Sequence, residues 1–217
     1  MKNKLTFGNV IYWVIVVLPF AISAYFYDRL PNQMITHWNM QNQPDGYSSK
    51  NFACWGIPAF MLGIAMIVNI AFACDPKKDN IKKSNAIKQL GRWTVPVMGL
   101  LVQTIMILSN TGRKLNIGML IGIPISILLI AVGNYLPKCK PNYTMGIRLP
   151  WTLNNETNWR KTHRFSGYVW IVGGLLMIVD VFLQWSWLFI VIIALVSISP
   201  VVYSFCFYKK RNRKENS

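Results

Sequence analysis

The stretch that decides the fold is FSGYVWIVGGLLMIVDVFLQWSWLFIVIIALVSISPVVYSFCFY, Phe165 to Tyr208, in which Asp180 is the one charged side chain in 44 residues. As a single helix it would extend about 66 Å, roughly twice the ~30 Å hydrocarbon core of a bilayer. It must therefore fold into two passes. The expected bend is Gln184 to Ser186, inside LQWSWL, where Trp185 and Trp187 suit a membrane interface. No Gly or Pro marks the turn.

Working outward, four more runs free of Asp, Glu, Lys and Arg appear at 5–27, 51–74, 93–112 and 115–137. Each is long enough to cross the membrane as a helix. With 53% hydrophobic and 14% charged residues, the composition fits a membrane protein better than a soluble domain. The expectation is an all-α, polytopic helical bundle of six transmembrane helices, near 10–27, 55–73, 93–110, 117–136, 168–184 and 187–208. A closed barrel does not fit, because the runs are continuously apolar with no period of two. The chain then divides into 1–73, two spans with a loop between them; 74–92, a basic loop; 93–136, spans three and four; 137–167, a polar loop; 168–208, spans five and six; and 209–217, a basic tail.

The cations sort by side. Six passes put both termini, the 74–92 loop and the 137–167 loop together, and that side carries 19 of the 23 Lys and Arg against 4 on the other, Arg29, Lys50, Arg113 and Lys114. The positive-inside rule makes the rich side cytoplasmic, with both termini inside the cell. This sorting also accounts for the net charge of +16 without direct nucleic-acid binding. Lys2, Lys4 and the small residues Ala21 to Ser23 imitate a signal peptide, but the apolar run continues through Tyr27 and favours an uncleaved first helix.

No motif for catalysis, a metal or a cofactor is found. Cys54 and Cys74 flank one span, about 30 Å apart and too far for a disulfide. Cys139 and Cys206 fall on the expected reducing side. His37 and His163 are expected on opposite faces. There is no H-E-x-x-H, G-x-S-x-G or phosphate-binding glycine loop, so neither an enzyme nor a cofactor is expected. Within the spans, Asp180 is the only ionisable group, expected near an interface as a packing partner or, alternatively, as an ion relay. Prolines 19, 58, 96, 124 and 200 suggest kinks, and Gly118 with Gly122 forms a G-x-x-x-G suited to close helix contact.

Two polar segments carry more information. In RLPNQMITHWNMQNQPDGYSSK, 29–50, PDG at 44–46 has the chemistry of a tight turn, and His37, Trp38 and Asn39 place an aromatic between two hydrogen-bonding groups. Interfacial anchoring by Trp38 and Tyr47 and an external recognition surface both fit. In MGIRLPWTLNNETNWRKTHRFSG, 145–167, Pro150 forces Leu149 to be extended. Beyond it Asn154 can cap a helix with Glu156 in its first turn, Glu156 and Arg160 pair at i,i+4, and Trp159 shares a face with His163. That helix is expected along the inner surface, feeding the fifth span, with Trp151 and Trp159 at headgroup depth and Arg148, Arg160, Lys161 and Arg164 facing anionic lipid.

The order of residue types in these segments resembles the SdpI family of bacterial membrane immunity proteins. Leu30, Pro31, His37, Trp38, Asn39, Pro44, Asp45, Tyr47, Ser49 and Lys50 match its LPxxIPxHWNxxGxPDxYxSK pattern. Gly146, Ile147, Arg148, Pro150, Trp151, Thr152, Leu153, Asn155, Glu156, Trp159, Lys161, Thr162, His163, Arg164 and Gly167 match its GIRTPWTLxNExxWxKTHRxxG pattern, and Gly133 and Asn134 fit as well. Met34, Ile35, Asn42 and Leu149 depart from it, without loss of a charge or an aromatic; Asn42 stands for a Gly and can also enter the left-handed region. The resemblance implies protection against a secreted antimicrobial peptide toxin and, as in the family's best-known system, capture of a cytoplasmic DNA-binding repressor. The site residues it points to are His37, Trp38, Asn39, Asp45, Tyr47 and Lys50 outside, and Arg148, Pro150, Trp151, Thr152, Asn155, Glu156, Trp159, His163 and Arg164 inside. A small ion-coupled transporter or channel is the alternative, resting on Asp180 and the prolines.

Overall fold

The computed structural model describes residues 6–215; Lys2 and Lys4 lie outside the described residues. Its elements in order are α1 (Phe7–Phe26) with a 3-10 turn at Tyr27–Arg29, strands β1 (Gln33–Trp38) and β2 (Pro44–Ser49), a π-helical turn (Phe52–Gly56) leading into α2 (Ile57–Cys74), α3 (Lys78–Lys83), α4 (Asn85–Asn110), α5 (Ile117–Tyr135) with a 3-10 turn at Leu136–Lys138, α6 (Pro150–Leu153), α7 (Glu156–Leu183) and α8 (Ser186–Glu215). Among the described residues six helices are long and apolar enough to cross a membrane: Phe7–Arg29, Phe52–Cys74, Asn85–Asn110, Ile117–Lys138, Glu156–Leu183 and Trp187–Arg211. Helices satisfy their own backbone polar groups, which lipid cannot do.

The turn inside the 44-residue run falls where LQWSWL predicts it. Gln184 ends α7 in the left-handed conformation (φ 55°) and donates its N–H to the Asp180 carbonyl at 2.7 Å. Three boundaries differ from expectation, and the last helix is one of them: α8 runs on to Glu215 rather than ending at 208. The third span begins at Asn85 rather than 93, because Asn85 to Arg92 contains no proline to stop the helix. The expected surface helix before the fifth span is instead the first turns of α7, a single helix of 28 residues. Its N-cap is Asn155, not Asn154: the Asn155 side chain accepts the Asn158 N–H at 2.9 Å.

The chain forms two compact units, one made of the chain up to Asn69 with Arg92–Ile121, the other of Ile70–Gly91 with everything from Gly122 onward. In the first, Leu30, Met34, Ala53, Cys54, Met106 and Ile107 form one apolar cluster under the hairpin. Gln103, 1% exposed, donates to Ser23 Oγ (2.9 Å) and to the Ala53 carbonyl (3.1 Å), tying α4 to α1 and the π-helical turn. Arg92 donates to Asn69 (3.0 Å) and Asn9 (3.0 Å) and lies over the Tyr12 ring at 4.2 Å. That network holds α1, α2 and α4 together with neutral partners around a cation.

The second unit is built on glycine. A Cβ on Gly133 would lie 2.9 Å from the Gly167 carbonyl oxygen, and one on Gly167 would lie 2.7 Å from that of Gly133. Here α5 and α7 meet backbone to backbone, a contact that gains dispersion energy only because no side chain intervenes. Gly174 repeats the approach against the Ser126 carbonyl at 2.8 Å, and Gly173 seats Val196 of α8. The G-x-x-x-G pair divides: Gly122 packs on Val181, whereas a Cβ on Gly118 would meet nothing nearer than Asn116 at 3.5 Å.

Gly133→Ala and Gly167→Ala are each expected to destabilise by about 1–3 kcal/mol, since backbone must move to admit the methyl, while Gly118→Ala should be near neutral. Thermal unfolding midpoints of the purified protein in detergent measure the difference.

Candidate functional site

The first candidate segment is a β-hairpin in the first unit. β1 and β2 pair antiparallel, with Met34 opposite Ser48, Ile35 opposite Tyr47 and His37 opposite Gly46, and the register slips around His37. PDG is not the turn. Pro44, Asp45 and Gly46 belong to β2, and the reversal is made by Asn39 to Gln43. The Asn39 side-chain oxygen accepts the N–H groups of Gln41 (3.0 Å) and Gln43 (2.9 Å), an Asx turn that competes successfully with the Pro-Asp-Gly alternative. Asn42 takes the left-handed conformation (φ 61°) expected where the family pattern has Gly, and its amide bridges to the next loop, donating to the Leu115 carbonyl (2.9 Å) and accepting from the Ile117 N–H (2.7 Å).

Gly46 is needed because a Cβ there would stand 2.7 Å from the His37 Cβ. His37 Nδ1 and an Asp45 oxygen are 2.5 Å apart on the exposed face. Tyr47 is exposed, Trp38 packs against the apolar cluster, and the Lys50 ammonium lies 4.5 Å over the Tyr27 ring. On the other edge of β1, Asn110 acts as a substitute strand: its side chain accepts the Ile35 N–H (2.8 Å) and donates to the Ile35 carbonyl (2.9 Å). Five of the six residues singled out from this segment are thus brought into the hairpin, with His37, Asp45 and Tyr47 presented and Trp38 and Asn39 holding it, while Lys50 begins the helix that follows.

The second segment lies in the second unit. Gly146 has φ 89°, and a Cβ on it would lie 2.3 Å from His163 Nε2, so glycine is required twice over. His163, fully buried, stacks on Trp159 with ring centroids 4.1 Å apart, donates Nδ1–H to the Trp159 carbonyl (2.8 Å) and accepts the Ile147 N–H at Nε2 (3.1 Å). Those partners select the neutral tautomer with the proton on Nδ1. Trp159 is also fully buried and donates its indole N–H to the Cys139 carbonyl at 2.8 Å, so its ring faces protein rather than lipid.

Leu149 is extended, as Pro150 requires, and Thr152 closes the bend: its hydroxyl accepts the Leu149 N–H (2.9 Å) and donates to the Ile147 carbonyl (2.8 Å). Trp151 donates to Ser204 Oγ (2.9 Å) and lies among Phe205 and Tyr208, pinning α6 to α8. Arg148 donates to the Tyr143 carbonyl. Glu156 and Arg160 are exposed and do not pair with each other among the described residues, and Lys161 and Arg164 share their exposure. Asp180 is not part of either cluster; it is 7% exposed in α7, with one carboxylate oxygen lacking a partner among the described residues.

Several members of this second cluster are absent from the sequence expectations. Asn142 is a hub: its oxygen accepts the N–H groups of Thr144 (2.9 Å) and Met145 (2.6 Å), and its amide donates to the Lys140 carbonyl (2.8 Å). Asn158 donates to the Ser204 carbonyl (3.1 Å) and accepts from Thr162 (2.9 Å). Asp75 accepts from the Lys77 N–H (2.7 Å), the Tyr143 N–H (2.9 Å) and the Thr144 hydroxyl (2.6 Å). Burial alone would raise the Asp75 pKa, but those donors outweigh it and hold the carboxyl below its ordinary range. Burial pushes the Cys139 thiol up to about 11 despite hydrogen bonding from Asn142 and Ser84, which leaves it protonated and unreactive. A lone Asn or Asp in a polar loop has no signal that separates a hub from a solvated side chain.

Over 207 residues the sequence is 30% identical to the immunity protein SdpI of Bacillus subtilis (strain 168), spanning 94% of this chain and 97% of the relative. The chain belongs to the SdpI family. The model of the SdpI/YfhL protein family matches residues 138–204, which contain the whole second segment, and that of a domain of unknown function (DUF1648) matches 14–62, which contain the hairpin. No solved structure matches. The SdpI family match therefore falls on a cluster whose motif residues are in large part buried and hydrogen-bonded: Thr152, Trp159, Thr162 and His163 close it, and Arg148, Glu156, Lys161 and Arg164 remain exposed around it.

Asp75→Asn keeps the shape and one acceptor but loses the charge, and is expected to cost about 1–3 kcal/mol at neutral pH. Because the folded pKa is depressed, the wild-type advantage is complete above the ordinary Asp value of about 3.9 and disappears as pH falls through the folded pKa. Parallel pH-stability curves of wild type and variant should converge in acid; a gap that widens there contradicts the assignment.

Proposed function

We propose that this chain is an integral membrane immunity protein that protects the cell carrying it from a secreted, membrane-active peptide. The observation that carries the reading is similarity to an immunity protein over nearly the entire length of both chains, with both motif segments included. The distribution of cations, 19 against 4, supports an orientation with both termini and the 145–167 segment in the cytoplasm and the hairpin outside. In that orientation the exposed His37, Asp45 and Tyr47 are the groups a peptide meets first, on a hairpin braced by Asn39, Asn42 and Asn110.

On the other side, the buried Trp159, His163 and Thr152 act as a clamp, and the exposed Arg148, Glu156, Arg160, Lys161 and Arg164 form the surface on which a cytoplasmic repressor would dock. Signalling of that kind requires the peptide to bind two conformations with different affinity, because equal affinity shifts no equilibrium. Ion-coupled transport is the second reading, favoured by a buried Asp180 oxygen, within a span, that has no partner among the described residues.

Survival of a peptide-sensitive strain expressing wild type, His37→Ala, Asp45→Asn, Arg148→Ala or Asp180→Asn at matched membrane levels separates these readings. Immunity predicts protection by wild type and by Asp180→Asn, with protection lost in the two hairpin variants. Loss confined to Asp180→Asn supports transport. Equal killing with and without the protein across candidate peptides refutes immunity. Recruitment of a small DNA-binding protein to membranes on peptide addition, abolished by Arg148→Ala, is the separate test of docking.

A further inference from the structure

In the first unit, beside the hairpin, the chain leaves an open cleft of about 710 Å³ lined by Phe26, Asp28, Arg29, Leu30, Pro31, Asn110, Thr111 and Arg113. Its volume falls within the range of small-molecule sites, about 300–1,000 Å³. Two of its eight lining residues are arginines, although only four Lys and Arg occur in the loops that share this end of the spans. Neither arginine is ion-paired among the described residues. Arg29 rests against the Tyr25 and Phe26 rings at 5.4 and 6.0 Å, which leaves its guanidinium N–H groups available.

The remaining polar walls are committed elsewhere. Asn110 spends its amide on Ile35 and on the Met106 carbonyl (2.8 Å), and Thr111 donates its hydroxyl to the Leu108 carbonyl (2.8 Å). Recognition in this cleft therefore falls to two guanidiniums beside an apolar wall of Phe26, Leu30 and Pro31; Asp28 also lines it, so the two cations face one carboxylate and the cleft keeps a net positive charge. Two forks of N–H donors suit a phosphate. The depth selects the source of that phosphate. The cleft lies at the last turns of two candidate spans, Phe7–Arg29 and Asn85–Asn110, where lipid headgroups sit in either orientation of the protein.

We propose that this cleft binds the phosphate of a glycerophospholipid headgroup, gripped by Arg29 and Arg113, with the glycerol end of the lipid against Phe26 and Leu30. The bound lipid would then brace the same corner that Asn110 ties to the hairpin. The site is independent of the immunity reading, since it requires neither a peptide nor a particular orientation.

Native mass spectrometry of the full-length protein released from detergent, loaded with phosphatidylglycerol, with diolein as a lipid lacking phosphate, or with inorganic phosphate, tests the site. Wild type should retain one phosphatidylglycerol, Arg29→Gln and Arg113→Gln should each weaken retention about tenfold, and Lys114→Gln, outside the lining, should leave it unchanged. Arg113 lies in an exposed loop, so Arg113→Gln remains informative even where Arg29→Gln fails to fold. Equal retention of diolein, displacement of the lipid by inorganic phosphate at equal concentration, or undiminished retention by Arg113→Gln would each overturn the proposal.

Discussion

The imidazole of His163 is the constraint on which the second unit is arranged. It is inserted where Gly146 has no side chain, and it links a helix carbonyl to a loop amide through its two nitrogens. A buried polar ring with both nitrogens satisfied is stable; the same ring with one partner missing would cost a desolvated nitrogen. This explains why the 145–167 segment keeps so specific a residue order. Gly146 admits the ring, Trp159 stacks beneath it, Thr152 holds the bend that delivers Ile147, and the glycines at 133 and 167 let α5 approach α7.

The hairpin follows the same logic in the first unit, with asparagine in the leading role. Asn39 builds the turn, Asn42 enters the left-handed region and reaches the loop before α5, and Asn110 completes the edge of β1. Each substitutes a side-chain amide for backbone pairing that a two-stranded sheet cannot supply on its own. The exposed His37, Asp45 and Tyr47 therefore stand on a short but fixed platform. In both segments, presented residues stand on side chains whose role is support, the arrangement that a precise site requires.

Much of this was legible in the sequence. Continuous apolar runs and the 44-residue length limit give the six spans, because hydrocarbon thickness is an external ruler, and the paired tryptophans put the turn within Gln184 to Ser186. The extended Leu149, the Trp159–His163 stack and the left-handed Asn42 follow from local rules about Pro, helical spacing and turn chemistry. Errors arose where local signals compete. Pro-Asp-Gly is a strong turn sequence, yet Asn39 captured the reversal first; Asn154 and Asn155 are equally good caps by type; and the burial of Trp159 depends on Cys139 and Met145 arriving from elsewhere in the chain. The hubs Asp75 and Asn142 were invisible for the same reason: their partners meet only in three dimensions.

The central claim is that the GIRLPWTL segment is a closed, hydrogen-bonded clamp rather than a loop lying on a surface. Hydrogen–deuterium exchange of the protein in lipid nanodiscs, resolved to the amides of Thr144, Met145, Ile147 and Leu149, addresses it directly, since those N–H groups bond to Asn142, His163 and Thr152 side chains. Protection comparable to the amides of α7 is the expected result; exchange at the rate of an open loop would contradict the account.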